Sequence, residues 1–358
     1  MRQMLRIFAV TCAAVCAVAF AKPHAGPDHV DITWMSVTNM YFQAGEARVV
    51  ADGYITRLPD KLFYANFDST RESATPDTVA VKRVLTALGG PSSVNLLLTG
   101  HSHWDHAFDT PAWSTLSGAK IIGSKTTCFL AIASKVPAGR CTPVDGGEKF
   151  VVGDGVTMYV VRWNHSGDPA KNPRLHNPIE LTRPPTPDPR TGGLRAGVTE
   201  DFVNGGGNRG YLFVVDGAGG RYSWYFSNSG SAVDLNVPIV LDGKNYGAPI
   251  ENLQSAMKAA GISSVDLWIG ADDIDVARLV VPVLHPRAFL PVHWDNFLAP
   301  FEAGVTKPYS NPVLSSYLAG AKVQLMTPLQ YMDKWRLDRT GIRPIPNDDV
   351  KKVLGFSR

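Results

Sequence analysis

Metal-ligating side chains are concentrated in one stretch, "TGHSHWDHAFDT" (99 to 110), where His101, His103, Asp105 and His106 fall within six positions. Three of the chain's 9 histidines stand there, directly after the apolar run "VNLLLTG" (94 to 100), which reads as a buried strand. In an extended backbone His101 and His103 point the same way, because side chains repeat every two residues, so they can share one metal ion. Asp105 and His106 are adjacent and diverge, which suits a second ion close by. Imidazole with carboxylate is the donor set zinc favours, and neutral histidine at pH 7 needs no redox metal.

The elements that must position this stretch are short apolar runs bounded by turn residues. Strands are expected over 31–37, 46–53, 94–100, 120–124, 157–163, 210–217, 223–228, 265–270 and 288–294. Helices are expected over 75–90, opening with a Thr cap, over 249–261, between Pro249 and Gly261, and over 272–284, interrupted by Pro282. Strands come first and then alternate with helices, a pattern for two sheets covered by helices within one domain over 22–358. Residues 166–209 are rich in Pro and Gly and lack apolar periodicity, so this long loop is either functional or a tolerated surface insertion.

"HSHWDH" resembles the His-x-His-x-Asp-His signature of the metallo-β-lactamase superfamily, and the likeness extends over essentially the whole chain after its leader. The resemblance implies an α+β fold, the αβ/βα four-layer sandwich of two mixed β-sheets with helices on the outer faces. It also implies one or two zinc ions, two favoured, at one edge of the sheets. His165, in "WNHSGD", matches the third ligand of the first ion, and His293, in "FLPVHWD", matches the last ligand of the second. His176 lies within the long loop, to face substrate or solvent, and His285 ends a helix before Pro286.

One departure stands out. The family's bridging Asp is expected where this chain has Asn228, in "YFSNSGS". A neutral amide offers one carbonyl oxygen. Asn228 therefore still ligates one ion, or the site holds a single metal, or metal is bound without turnover. The opening "TWMSVTNMYFQAGEARVVADGYI" and the ending "PVHWDNF" look more like the branch with ascorbate-phosphate lactonase and N-acylphosphatidylethanolamine phospholipase D. In that branch a residue like Asp52 begins a loop approaching the site, and here it is equally an ordinary turn residue before Gly53. Tyr54, Trp104, His176 and Trp294 are the candidates for lining a substrate pocket.

The implied reaction is hydrolysis of an ester, lactone, amide or phosphodiester by a metal-bound hydroxide, with Asp105 as ligand and orienting carboxylate. The alternative is a non-catalytic, metal-stabilised binding protein with a degenerate site. "MRQMLRIFAVTCAAVCAVAFA" (1 to 21) has the charged start, short apolar run and small-x-small end of a secretory signal, cut after Ala21. It is short for a spanning helix, so a periplasmic or secreted protein without a stable membrane anchor is expected. The formal charge is +3, and Arg2 and Arg6 leave with the signal, so there is no basic patch for nucleic acid and the expected partner is a small-molecule substrate. Cys128 and Cys141 remain, as one disulfide or two buried thiols.

Overall fold

The computed structural model describes residues 26–356; the segment 1–21, expected to be a secretory signal, lies outside them. The first six strands are β1 (His29–Ser36), β2 (Asn39–Ala44), β3 (Ala47–Ala51), β4 (Leu96–Leu98), β5 (Lys120–Gly123) and β6 (Cys141–Pro143). Then come β7 (Lys149–Gly153), β8 (Val156–Trp163), β9 (Asn208–Gly217), β10 (Gly220–Ser227) and a small hairpin of β11 (Val240–Leu241) and β12 (Lys244–Asn245). The last are β13 (Leu267–Ala271), β14 (Ala288–Val292), β15 (Gln324–Leu325), β16 (Asp333–Asp338) and β17 (Gly341–Ile345).

Eight strands pair in the order β17-β16-β1-β2-β3-β4-β5-β6, and seven in the order β15-β14-β13-β10-β9-β8-β7. Each sheet is antiparallel in one half and parallel in the other: β3 to β6 run parallel in the first, β10 and β13 to β15 in the second. The expected sandwich of two mixed sheets is therefore what the chain forms. Parallel strands buried on both faces read as unbroken apolar runs, which is why "LLL" of β4 carries no alternation.

Alternation survives where the two faces meet different layers. On β8, Met158 and Val160 join the core between the sheets, while Tyr159, Val161 and Trp163 face an outer cluster. That outer cluster is completed by α6 (Pro249–Ala260), α7 (Ile274–Leu284) and α8 (Pro312–Gly320). Numbering the helices in chain order, those before α6 are α1 (Thr78–Ala87), α2 (Trp104–Ala107), α3 (Thr110–Ser117), α4 (Lys125–Ala133) and α5 (Pro173–His176), and α9 (Asp348–Leu354) closes the chain. Among the described residues no helix is long and apolar enough to cross a membrane.

Helix ends follow local chemistry. Asp77, not the expected Thr75, caps α1, its carboxylate accepting from the amides of Val79 and Ala80. Pro249 opens α6, and Gly261, left-handed, ends it as the sequence suggests. Cys128 and Cys141 form a disulfide linking α4 to the start of β6.

The long loop is neither empty nor free. Leu194, Ala196, Val198 and Phe202 are buried with Trp104, Phe108 and Leu130 in a third cluster against α2. Loop and core thus hold the His-rich turn from behind.

The last two strands were not expected, yet β16 closes onto β1 through Asp31, which meets Arg336 at 2.7 Å and Lys334 at 3.1 Å. Burial opposes ionisation of Asp31, but these cations outweigh it and hold its pKa below the usual 3.8. A depressed carboxylate contributes stability that is present above the unfolded pKa and lost as pH falls through the folded value. Asp31→Asn is therefore expected to cost about 1 kcal/mol at pH 7 and progressively less as the pH falls below 3.8, read by urea unfolding across that range. An unchanged cost at low pH would contradict the pairing.

Candidate metal centre

Every candidate ligand sits just past the C-terminal end of a strand. β4 leads into His101, His103, Asp105 and His106; β8 into His165; β10 into Asn228; β14 into His293. These ends share one edge of the sandwich, the place where open α/β sheets collect their functional groups. His285 ends α7 in the left-handed region at the opposite end of β14 and takes no part.

His101, His103 and His165 offer ring nitrogens that lie within 4.8 Å of one another, with ring centroids 4.6 to 4.7 Å apart. All three are buried, and Nε2 of His101 and of His103 has no hydrogen-bond partner. Unpartnered buried nitrogens are costly unless something occupies the space between them. Burial first, then the neighbouring imidazoles, pushes His101 well below its usual pKa, and burial takes His103 down to about 3. These rings are therefore neutral with lone pairs available, the form that binds a metal. His165 donates Nδ1–H to the Ser166 carbonyl at 2.7 Å, which fixes its tautomer and leaves Nε2 free.

A second group surrounds Asp105. Its Oδ2 lies 3.2 Å from Nε2 of His106 and 3.2 Å from Nε2 of His293, and His101, Asp105 and His106 also fall within 4.8 Å. Burial opposes the charge on Asp105, yet His106 and His293 hold its pKa well below the usual carboxylate range. His106 is likewise raised to about 10 against its burial, by Asp105 and then Asp52. Most of the cluster is sealed; Asp105, 12% exposed at the side chain, and His293, 26%, mark its open edge.

Asp52 is the hub that sequence reasoning undervalued. It accepts from Thr38 Oγ1 at 2.6 Å, the Gly100 amide at 2.9 Å, His106 Nδ1 at 2.9 Å and Asn228 Nδ2 at 2.7 Å. By holding the Nδ1 proton of His106 it turns Nε2 towards Asp105. Its φ of 59° is left-handed, a conformation the following Gly53 shares.

Asn228 is fully buried, with both amide atoms occupied. A carboxylate only accepts, so the amide nitrogen must face Asp52, and the oxygen then faces His101 Nδ1 at 3.3 Å. The amide thus stands behind His101 and orients it. On the other flank, the His293 amide donates to the Val37 carbonyl at 3.0 Å, while both Asp295 oxygens accept from the Val37 amide. His293 has φ 64° and Val37 has φ 45°, so two side-chain-bearing residues are held in a costly conformation at this corner.

The four expected pocket residues separate. Tyr54 and Trp104 do not line an open pocket: they pack edge to face at 5.5 Å inside the third cluster, and the Tyr54 hydroxyl accepts the Leu58 amide. An aromatic ring after a strand is as useful to a core as to a ligand, which is why type and position misled here. Trp294 stacks on Trp34 at 5.3 Å. The His176 ring lies 6.4 Å from that of His165, with Nε2 2.6 Å from Asp234 Oδ2. Burial opposes its protonation, but Asp234 raises its pKa.

No family model matches this sequence, and no curated protein matches it. Solved structures similar in chain course include Igni18, a metallo hydrolase from Ignicoccus hospitalis, at 12% identity and TM-score 0.49, over 87% of this chain and 99% of that one. The metallo-β-lactamase fold protein YhfI from Bacillus subtilis is similar at 10% identity and TM-score 0.45, over 86% and 99%. CmlA, a diiron β-hydroxylase from Streptomyces venezuelae, is similar at 12% identity and TM-score 0.45, over 87% of this chain and 54% of its own.

Proposed function

We propose that this chain is an exported, metal-dependent hydrolase of the metallo-β-lactamase superfamily, carrying zinc and acting on an ester, lactone, amide or phosphodiester. The observation that carries the reading is the convergence, from separate strand ends, of buried imidazoles with unpartnered nitrogens around one carboxylate. His101, His103 and His165 would hold one ion, and Asp105, His106 and His293 a second. Bound there, the metal supplies an acidified water and a Lewis acid for the oxygen that gains charge.

The protein's own groups supply placement. Asp52 keeps the Nδ1 proton on His106, and Ser166 does the same for His165, so neither ring can turn. Asp105 Oδ2, at the open edge, is the carboxylate placed to orient an attacking water. The Cys128–Cys141 disulfide supports an oxidising compartment, as an exported protein would meet.

The test is a panel of esters, lactones, amides and phosphodiesters offered to chelator-stripped and zinc-reloaded protein. Hydrolysis of one class is expected only after reloading, and at least 100-fold slower in His103→Ala, since a missing ligand removes the first site. Full zinc content with no turnover of any class would favour the non-catalytic reading instead.

A further inference from the structure

Beside His165 lies a cavity of about 160 Å³ that the metal reading leaves without a role. Its polar lining includes the His176–Asp234 pair and the exposed amide of Asn177. The rest of the lining is mostly apolar: Pro169 and Pro178 come from the long loop, and Val237, Ile239 and Val240 from the segment after β10 that forms the β11–β12 hairpin. Val237 is 51% exposed and Val240 58%. Two exposed valines, Val237 and Val240, thus line one cavity together with Pro169, Pro178, Pro238 and Ile239, and a candidate metal ligand, His165, lines it too. Exposed apolar residues scattered singly need no explanation, but a cluster around a concavity does.

We propose that this cavity is the substrate subsite for an apolar substituent, so that the hydrolase favours acyl or alkyl groups over polar ones at the position next to His165. The inference rests on the metal reading above. The carboxylate in the lining, Asp234, is already engaged at both oxygens, Oδ2 by His176 at 2.6 Å and Oδ1 by Asn164 at 2.5 Å. Its small volume favours a short aliphatic group, with the exposed valines extending the wall outward.

Alkyl hydroxamates test this without knowing the substrate, since the head group binds metal and the tail reports the wall. Calorimetric titration of zinc-loaded protein with acetohydroxamate and hexanohydroxamate gives the two affinities. Each fully buried methylene is worth about fourfold, so the longer tail is expected to bind between about tenfold and about 200-fold more tightly. Val237→Asp and Val240→Asp, both at exposed positions, are expected to collapse that ratio towards one while leaving the unfolding midpoint in place. Equal affinities for the two tails in the wild-type protein, or a ratio that survives both variants, would overturn the subsite alone. Failure of the stripped protein to take up zinc, checked by elemental analysis before the titration, would take the metal reading down and the subsite with it, whereas failure of both hydroxamates to bind protein that holds zinc would overturn the subsite alone.

Discussion

Asp52→Ala is expected to destabilise the metal-free protein by roughly 3–5 kcal/mol and to weaken zinc binding by about 10- to 100-fold. The first effect follows from what the carboxylate satisfies. Thr38, Gly100, His106 and Asn228 all donate to it from fully buried positions, so its removal strands several donors where water does not reach. The second follows from His106: without an acceptor on Nδ1 its ring is free to turn, and Nε2 no longer faces Asp105. Denaturant unfolding of stripped protein and competition with a chromophoric chelator give the two numbers separately. A change below about 0.5 kcal/mol, the range of ordinary surface substitutions, would show that Asp52 is only a turn residue.

Asn228→Asp has the second largest expected effect, and its sign depends on metal. The amide nitrogen stands 2.7 Å from Asp52 Oδ2, so a carboxylate at 228 would set two anions against each other in a buried site. Stripped protein is expected to lose several degrees in Tm. With zinc present the added charge becomes a partner for the ion, so the stabilisation gained on zinc addition is expected to exceed that of the wild type. Thermal melts with and without zinc measure both. A variant that melts like the wild type in both states would mean that the amide is not where the geometry puts it.

The two outcomes bear on how much the sequence reveals. His101, His103, Asp105 and His106 are legible because their spacing is local and one strand end dictates where they point. His165 and His293 are legible because each follows an apolar strand. The support behind them is not. Asp52 meets partners 14, 48, 54 and 176 residues away, and no pattern around "VVADG" separates such a hub from a turn. The role of Asn228 was hidden for the same reason, since whether an amide faces a metal or a carboxylate depends on what folds against it. Tyr54 and Trp104 show the converse error, in which residue type suggested a pocket and packing made a core.

The fold followed similar limits. Strands buried on both faces announce themselves by composition, and α6 by its terminal Pro249 and Gly261. The pairing of β1 with β16 joins residues about 300 positions apart, and β16, with four charged residues among its six, is too polar to read as a strand. Asp234, which anchors His176 beside His165, was invisible in the same way.

The most direct test of the account is elemental mass spectrometry of protein purified without chelator, with His165→Ala and Asn228→Asp alongside. About two zinc ions per chain are expected in the wild type and no more than about one in His165→Ala, because His165 belongs to one triad only. No bound metal in the wild type, even after loading with zinc, would contradict the claim that these buried imidazoles exist to hold it.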